Sequence, residues 1–218
     1  MRNVLITAGA TRNYLDAIRF ISNQATGKTG LTLLQQLPPQ TVVHFLWGYG
    51  VQIPETLKKN TSIEEFFSTQ DLANRMFRWL AQNLGGLIVH SAAVGDFEVA
   101  SIDGKQENWE QIKLDSSREI SIQLRPTIKI VDQLKKRDPS HFLVSFKQLP
   151  PTATSEEATR IGQTQRERTQ SDRVFTNITH HLEECQLISK EWVKIFSSRN
   201  EALTALIQEI QKNLEVNF

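Results

Sequence analysis

The residues best equipped for chemistry crowd into one stretch of the 218-residue chain, Gly9 to Gly30, where Arg12, Arg19, Asn23, Lys28 and several hydroxyls stand among three glycines. Two arginines and a lysine suit phosphate, glycines let backbone N–H groups approach an oxygen, and Lys28 falls where a following helix presents its positive end. The composition is that of an anion grip. A plainer reading, a polar loop whose charges are only solvated, is weaker because loops held by a rigid scaffold are where binding residues concentrate.

The flanking segments supply that scaffold. Asn3–Ala8 is a β-rich apolar run without alternation, as expected of a parallel strand covered on both faces. A helix is predicted from Lys28, carrying Leu31, Leu33, Leu34 and Leu37 and stopped by Pro38-Pro39, and a second strand over Thr41–Leu46. Ser68 and Asp71 announce the next helix, with Leu72, Met76, Trp79, Leu80 and Leu84 at helical spacing and Gly85-Gly86 at its end. Leu87–Ser91 then reads as a buried strand that delivers Ala92–Phe97 to the carboxyl edge of a sheet, where open α/β sheets bind ligands.

From 98 to 119 the chain is polar and irregular, a flap of roughly 97–119. Ile120–Leu124 alternates strictly, as in a strand with one covered face. Pro126 is expected to open a short helix with Ile128, Val131 and Leu134; Phe142–Phe146 to form a buried strand, with Lys147–Pro150 leaving the sheet; Thr154–Glu157 to start a polar helix reaching about Gln170; and Val174–Thr176 to form the last short core strand. A hairpin over 186–196 and a final helix behind the Ser198/Glu201 capping box complete the chain. The fold class is α/β: a Rossmann-like three-layer α/β/α arrangement with a mostly parallel sheet, one domain over 1–218, and a flap or hairpin excursion.

Bulk properties narrow the function. A formal net charge of +1 gives no general field for nucleic acid or an anionic membrane, so anion binding must be local. The one cysteine, Cys185, cannot form an internal disulfide, which fits a reducing compartment. The N-terminus lacks a signal-peptide pattern and no apolar run reaches the roughly 18 residues of a membrane span, so a cytoplasmic protein is expected.

Familiar motifs fail on spacing. The glycines after the first strand do not make G-x-G-x-x-G. Gly27-Lys28-Thr29 ends like a Walker loop, but Ser22 stands where its first glycine belongs. Neither Tyr14 nor Tyr49 has a lysine four residues on. His44 and His90 lie on apolar strands and read as satisfied core histidines, His180-His181 reads as a surface turn, and no metal centre is expected. Lys135-Lys136-Arg137 reads as a solvated helix end.

Taken together, Ile6–Arg12, Asp16, Arg19–Asn23, Thr26–Lys28 and Gly30 resemble the opening of phosphopantothenate-cysteine ligase, in its stand-alone form. His90–Phe97 is similar to that family's second signature, Val144–Lys147 to the strand closing its nucleotide site, and Asp172–Asn177 to its last motif. The resemblance implies joining of 4′-phosphopantothenate and cysteine through an acyl-nucleotide, with CTP or ATP as co-substrate, Mg2+ accompanying the nucleotide, and a homodimer whose flap crosses the subunit boundary. It implies small-molecule substrates, with no nucleic acid or membrane partner. By the same resemblance Asn23 handles the acyl-nucleotide, Arg19 meets the substrate phosphate, and Ala93 lies beside the substrate. Gly9, Thr11, Lys28, Ser91, Ala92, Asp96, Phe97, Phe146 and Arg168 are expected around the nucleotide.

The family's mobile lysine admits two registers. A gapless count from Asp96 reaches Gln106, beside Lys105. The preferred register matches Lys113–Ser117 to the eukaryote-like form and makes Lys113 catalytic together with Asn23 and Arg19. Arg125-Pro126-Thr127-Ile128 departs from the Asn-Pro-Asp-Ile of bifunctional members, and Gln165 and Thr169 occupy their two later lysine positions, leaving Arg166 or Arg168 to supply charge. These departures keep open CTP against ATP, an amide ligase for another acid and amine, and a non-catalytic nucleotide-binding protein.

Overall fold

The computed structural model describes residues 3–179 and 181–215. In chain order its elements are β1 (Val4–Ala8), β2 (Arg12–Tyr14), β3 (Phe20–Ser22), α1 (Lys28–Gln36), β4 (Val43–Trp47), β5 (Thr61–Glu65), α2 (Thr69–Gln82), β6 (Leu87–His90), β7 (Phe97–Ile102), β8 (Ile122–Pro126), α3 (Val131–Arg137), β9 (Phe142–Leu149), α4 (Ser155–Thr169), β10 (Arg173–Ile178), β11 (His181–Ile188), β12 (Val193–Phe196) and α5 (Arg199–Glu215), with a short 3-10 turn at Trp109–Gln111.

Eight strands form one sheet in the order β12-β11-β10-β9-β6-β1-β4-β5. The six from β10 to β5 are parallel, and β11 and β12 add antiparallel at one end. β1 explains why its run has no alternation. Val4, Ile6 and Ala8 pack with Leu33 and Leu34 of α1 and with Leu206 and Ile210 of α5, while Leu5 turns to the other face with Met76 of α2 and Leu134 of α3. Both faces are therefore covered, which makes three layers.

Local signals set the helix starts. Ser68 caps α2 by accepting from Asp71 N, and Thr154 and Glu157 form a reciprocal capping box on α4. Ser198 accepts from Glu201 N at 3.2 Å, but the Glu201 carboxylate takes the Ser197 hydroxyl rather than closing the second half of a box. Gly162 lets α4 lie against Ile188 and Thr176, since a Cβ there would stand 2.8 Å from Thr176 Cγ2.

Several expectations need correction. The flap is not irregular throughout: Phe97–Ile102 is β7, paired antiparallel with β8, so the excursion is a two-stranded ribbon spanning 97–126 with a loop at its end. β8 is exposed at every position rather than covered on one face, because no helix layer reaches it, and Pro126 ends this strand instead of opening a helix. α3 begins at Val131. β9 stays in the sheet through Leu149, its outer half held by β10. Leu84 lies beyond α2 and is exposed. The Lys135–Arg137 end is not simply solvated: Lys135 pairs with Asp172 at 2.8 Å, and the Arg137 guanidinium lies 3.7 Å from the Phe77 ring centroid. β5 and the β2–β3 ribbon have no counterpart in the sequence reading.

Candidate active site: a cationic cleft at the switch point

β1 and β6 lie side by side, and the chain leaves them toward opposite neighbours, so a crevice opens at their carboxyl ends. The two exits are laced together. Ser91 Oγ donates to Thr7 O at 2.7 Å, Ala93 N to Gly9 O at 2.8 Å, Thr11 N to Ala93 O at 3.2 Å, and Gly95 N to Thr11 Oγ1 at 2.8 Å. Gly9 turns here with φ +84°, and any Cβ would stand 2.7 Å from Gly48 O and 2.8 Å from Tyr49 O, so only glycine fits.

Above these exits is a cleft of about 990 Å3, bounded by Gly9, Asn23–Thr29, His90–Val94, Asp96, Ile128–Val131, Ser145–Pro150, Gln165, Arg168, Asn177, Thr179 and Arg199. Among the described residues it gathers five cations, Lys28, Lys129, Lys147, Arg168 and Arg199, against one carboxylate, Asp96. Asp96 already pairs with Lys129 at 2.5 Å. α1 starts at the cleft from Gly27 in the left-handed conformation, with no side chain capping its first turn. Uncapped N–H groups and surplus positive charge make this a site for a polyanion.

The expected site residues divide into two groups. Gly9, Asn23, Lys28, Ser91, Ala92, Ala93, Asp96, Phe146 and Arg168 all line the cleft. Asn23 donates its amide to Val94 O at 3.0 Å, which leaves its Oδ1 free to accept. Phe146 leans on Phe175, ring centroids 5.2 Å apart. Arg168 reaches the cleft while pairing with Asp132, and Arg166 does not line it.

Thr11, Phe97, Arg19 and Lys113 stand outside the lining. Thr11 is fully buried, and its hydroxyl fixes Gly95 N and meets Thr69 Oγ1 at 3.1 Å. Phe97 is 51% exposed at the start of β7. Arg19 is held by the buried Asp16 carboxylate through Nε at 2.9 Å and Nη2 at 2.5 Å, and it donates to Leu114 O at 3.0 Å. That guanidinium, with the N–H groups of Ile18, Arg19 and Leu114, holds the Asp16 carboxyl far below the usual carboxylate range. Lys113 is exposed beside this knot, and Lys105 is exposed at the tip of the β7 turn.

Gln165 and Thr169 belong to a buried neutral network. Gln165 Nε2 donates to Ser145 Oγ at 3.0 Å and Phe146 O at 3.2 Å, Ser145 Oγ meets Ser171 Oγ at 2.8 Å, and Thr169 Oγ1 donates to Gln165 O at 2.7 Å.

The sequence reading missed Arg199. It is the first residue of α5, its Nη2 donates to Thr29 Oγ1 at 2.7 Å, its guanidinium lies 5.4 Å from the Phe175 ring centroid, and its Nη1 is buried without a partner. A cation opening a helix opposes the macrodipole, and that anomaly was the available signal. Lys129 was missed as well, while Lys147 and Asn177, which also line the cleft, lie in the motifs Val144–Lys147 and Asp172–Asn177 but were given no individual role. Of the histidines, His44 is satisfied, with Nδ1 2.8 Å from Ser62 Oγ and Nε2 3.3 Å from Glu64. His90 sits in the cleft wall, and His180 lies outside the described residues.

A doubly wound α/β sheet with a polyanion cleft at its switch point defines the class. Residues 1–213 match the family described as DNA/pantothenate metabolism flavoprotein C-terminal domain, and the chain belongs to that family. It is 28% identical over 219 residues to the coenzyme A biosynthesis bifunctional protein CoaBC of Thermococcus kodakarensis, a match covering 98% of this chain and 52% of that protein. It is 31% identical over 147 residues to the CoaBC of Haemophilus influenzae, covering 66% of this chain and 34% of that protein. The chain thus spans about half the length of the first of these curated relatives. Among solved structures, the DNA/pantothenate metabolism flavoprotein of Streptococcus pneumoniae superposes with a TM-score of 0.86 at 21% identity, covering 98% of this chain and 100% of that one. A Cab2 variant in complex with phosphopantothenate-cysteine gives 0.75 at 17% identity, covering 97% and 87%. At these identities the two structures speak for the fold. Among the described residues, no helix is long and apolar enough to cross a membrane.

Proposed function

We propose that the chain is a ligase joining 4′-phosphopantothenate to cysteine in coenzyme A biosynthesis, driven by CTP or ATP. The observation that carries this reading is the cleft's surplus of cations beside an uncapped helix start, in a family whose relatives are named for coenzyme A biosynthesis. The carboxylate of phosphopantothenate attacks the α-phosphorus and pyrophosphate leaves. The cysteine amine then attacks the acyl-nucleotide carbonyl and the nucleoside monophosphate leaves. Negative charge moves onto phosphate and acyl oxygens in both steps, so donors fixed in advance lower the barriers.

In this reading Lys28, Arg168 and the first turn of α1 receive the triphosphate, and Gly9, Ser91, Ala92, Asp96 and Phe146 surround the nucleotide. Asn23 Oδ1 and Ala93 lie against the acyl group. Mg2+ would come with the nucleotide. The residues fit that arrangement, since Mg2+ keeps several waters and needs few protein carboxylates, and among the described residues Asp96 is the one acidic side chain in the lining. Thr11 supports the nucleotide wall from behind by holding Gly95 N.

Arg19 and Lys113 stand together outside their own chain's cleft, which suits a homodimer in which the flap serves a second cleft. The β7–β8 ribbon, with exposed Phe97, Ile122 and Leu124, provides an apolar surface for that contact. The same placement favours one other reading, a nucleotide-binding protein without ligase activity. A cytoplasmic location follows from the substrates.

A coupled pyrophosphate-release assay with phosphopantothenate, cysteine and either CTP or ATP decides the matter. Release that requires the acid, and that continues beyond one turnover only when cysteine is present, is the expected result. Absence of release with both nucleotides overturns the ligase reading, and nucleotide binding without release favours the second one.

A further inference from the structure

His90 closes β6 in the wall of the cleft and is only 6% exposed. Its Nδ1 lies 2.9 Å from Thr7 Oγ1 on the adjacent strand. Thr7 is fully buried, and its hydroxyl already accepts Ala92 N–H at 3.2 Å. A hydroxyl has one proton to give, and a buried proton without an acceptor is costly. Among the described residues Nδ1 is the acceptor within reach of that proton. Nδ1 therefore accepts, and the imidazole hydrogen sits on Nε2. Nε2 has no acceptor among the described residues, yet it is not one of the sealed, unpartnered polar atoms, so it opens on the cleft.

We propose that His90 is a catalytic residue whose Nε2–H donates a hydrogen bond to an acyl-phosphate oxygen of the substrate in the crevice between β1 and β6, remaining neutral as charge grows on that oxygen. This rests on the ligase reading of the cleft. The five cations answer phosphate charge that is present from the start. A neutral donor answers charge that appears only in transit, without transferring its proton. Burial keeps the ring neutral, holding its pKa down to about 4. Thr7 is a positioning residue: it selects the tautomer and does not reach the substrate. Among the described residues the cleft's one carboxylate, Asp96, is taken by Lys129 at 2.5 Å, so it is not the partner of the ring.

The test begins with the unmutated protein carrying 15N-labelled histidine, the His90 signals being assigned by their loss in His90→Gln. The expected spectrum at pH 7 is that of the Nε2–H tautomer, with an Nε2–H shift when CTP or ATP together with phosphopantothenate is added. An Nδ1–H tautomer, or no shift at saturating ligand, overturns the proposal, whether or not pyrophosphate is released. Where release occurs, His90→Phe is expected to lower kcat about 10²–10³-fold while leaving nucleotide KM within threefold. His90→Gln, whose amide N–H reaches a similar position, is expected to recover at least tenfold of that loss. Thr7→Val is expected to lower kcat and show mixed tautomers. A folded His90→Phe protein with kcat within threefold of the unmutated protein overturns the proposal and leaves the ligase reading standing.

Discussion

Leu114 N–H donates to the Asp16 carboxylate at 3.1 Å across 98 residues of sequence, joining the flap to the loop that follows β2. The same carboxylate holds Arg19, and Arg19 in turn donates to Leu114 O. One buried charge therefore sets both the flap's anchor and the direction of the arginine.

Asp16→Asn keeps the shape but removes the charge and at least one acceptor. The expected loss is about 2 to 3 kcal/mol, seen as a melting temperature lower by about 5 to 10 °C. Limited proteolysis should cut faster between 103 and 120. An unchanged cleavage rate would show that Asp16 does not anchor the flap.

Arg199→Gln should weaken nucleotide binding about ten- to a hundredfold, the range for losing a charge-assisted hydrogen bond. Thr29→Val removes only the hydroxyl partner of Arg199 and should cost a few-fold. Isothermal titration with CTP and ATP reads both, and equal affinities in the unmutated and Arg199→Gln proteins would remove Arg199 from the cleft's binding set.

Acid should destabilise the fold in two stages. His90 has its pKa held near 4 in the folded state against about 6.5 unfolded, so between these values the unfolded chain binds a proton that the native chain does not. Stability contributed by neutral His90 is complete above pH 6.5 and falls as pH drops toward 4, by up to about 3 kcal/mol. The Asp16 carboxyl is also depressed, so its contribution is complete above its usual value of about 3.9 and is lost below that. Denaturant melts at pH 7.5, 6 and 5 should show the first stage in the unmutated protein and not in His90→Gln.

Gly9→Ala places a Cβ at φ +84°, 2.6 Å from Val51 Cγ2 and under 3 Å from two carbonyl oxygens. Strain and clash together should cost about 2 to 4 kcal/mol. Thermal melts check the size, and a loss under 0.5 kcal/mol would show that this turn relaxes freely.

The buried layers were legible from residue types. Runs such as Val4–Ala8 and Leu87–His90 are apolar on both faces, and the Thr154/Glu157 and Ser68/Asp71 spacings mark helix starts locally. Polar strands were not legible. β5 and β7 owe their strand geometry to partners elsewhere in the chain, β2 and β3 are three-residue strands that hold only by pairing with each other, and nothing in Thr61–Glu65 announces that β4 runs alongside. Alternation in Ile120–Leu124 correctly signalled a strand but could not say that no layer covers it. In the site, motif residues close to β1 and β6 were legible because the strand ends gather them. Arg199 arrives from the far end of the chain through α5 packing on α1, and a half-satisfied His90 looks like any core histidine until the Thr7 hydroxyl is seen beside it.

The outer strand β5 has one further consequence. Its Glu64 is fixed by Arg75 and by Arg78 at 2.8 Å, and Glu65 by Arg12 at 3.0 Å, so the open margin of the sheet is studded with paired charge and is only five residues long. Another copy extending the sheet there would have to strip water from those charges and bring like charges into line, which is how natural sheets resist edge-to-edge aggregation. Edge-to-edge pairing of the sheet through β5 is thereby disfavoured.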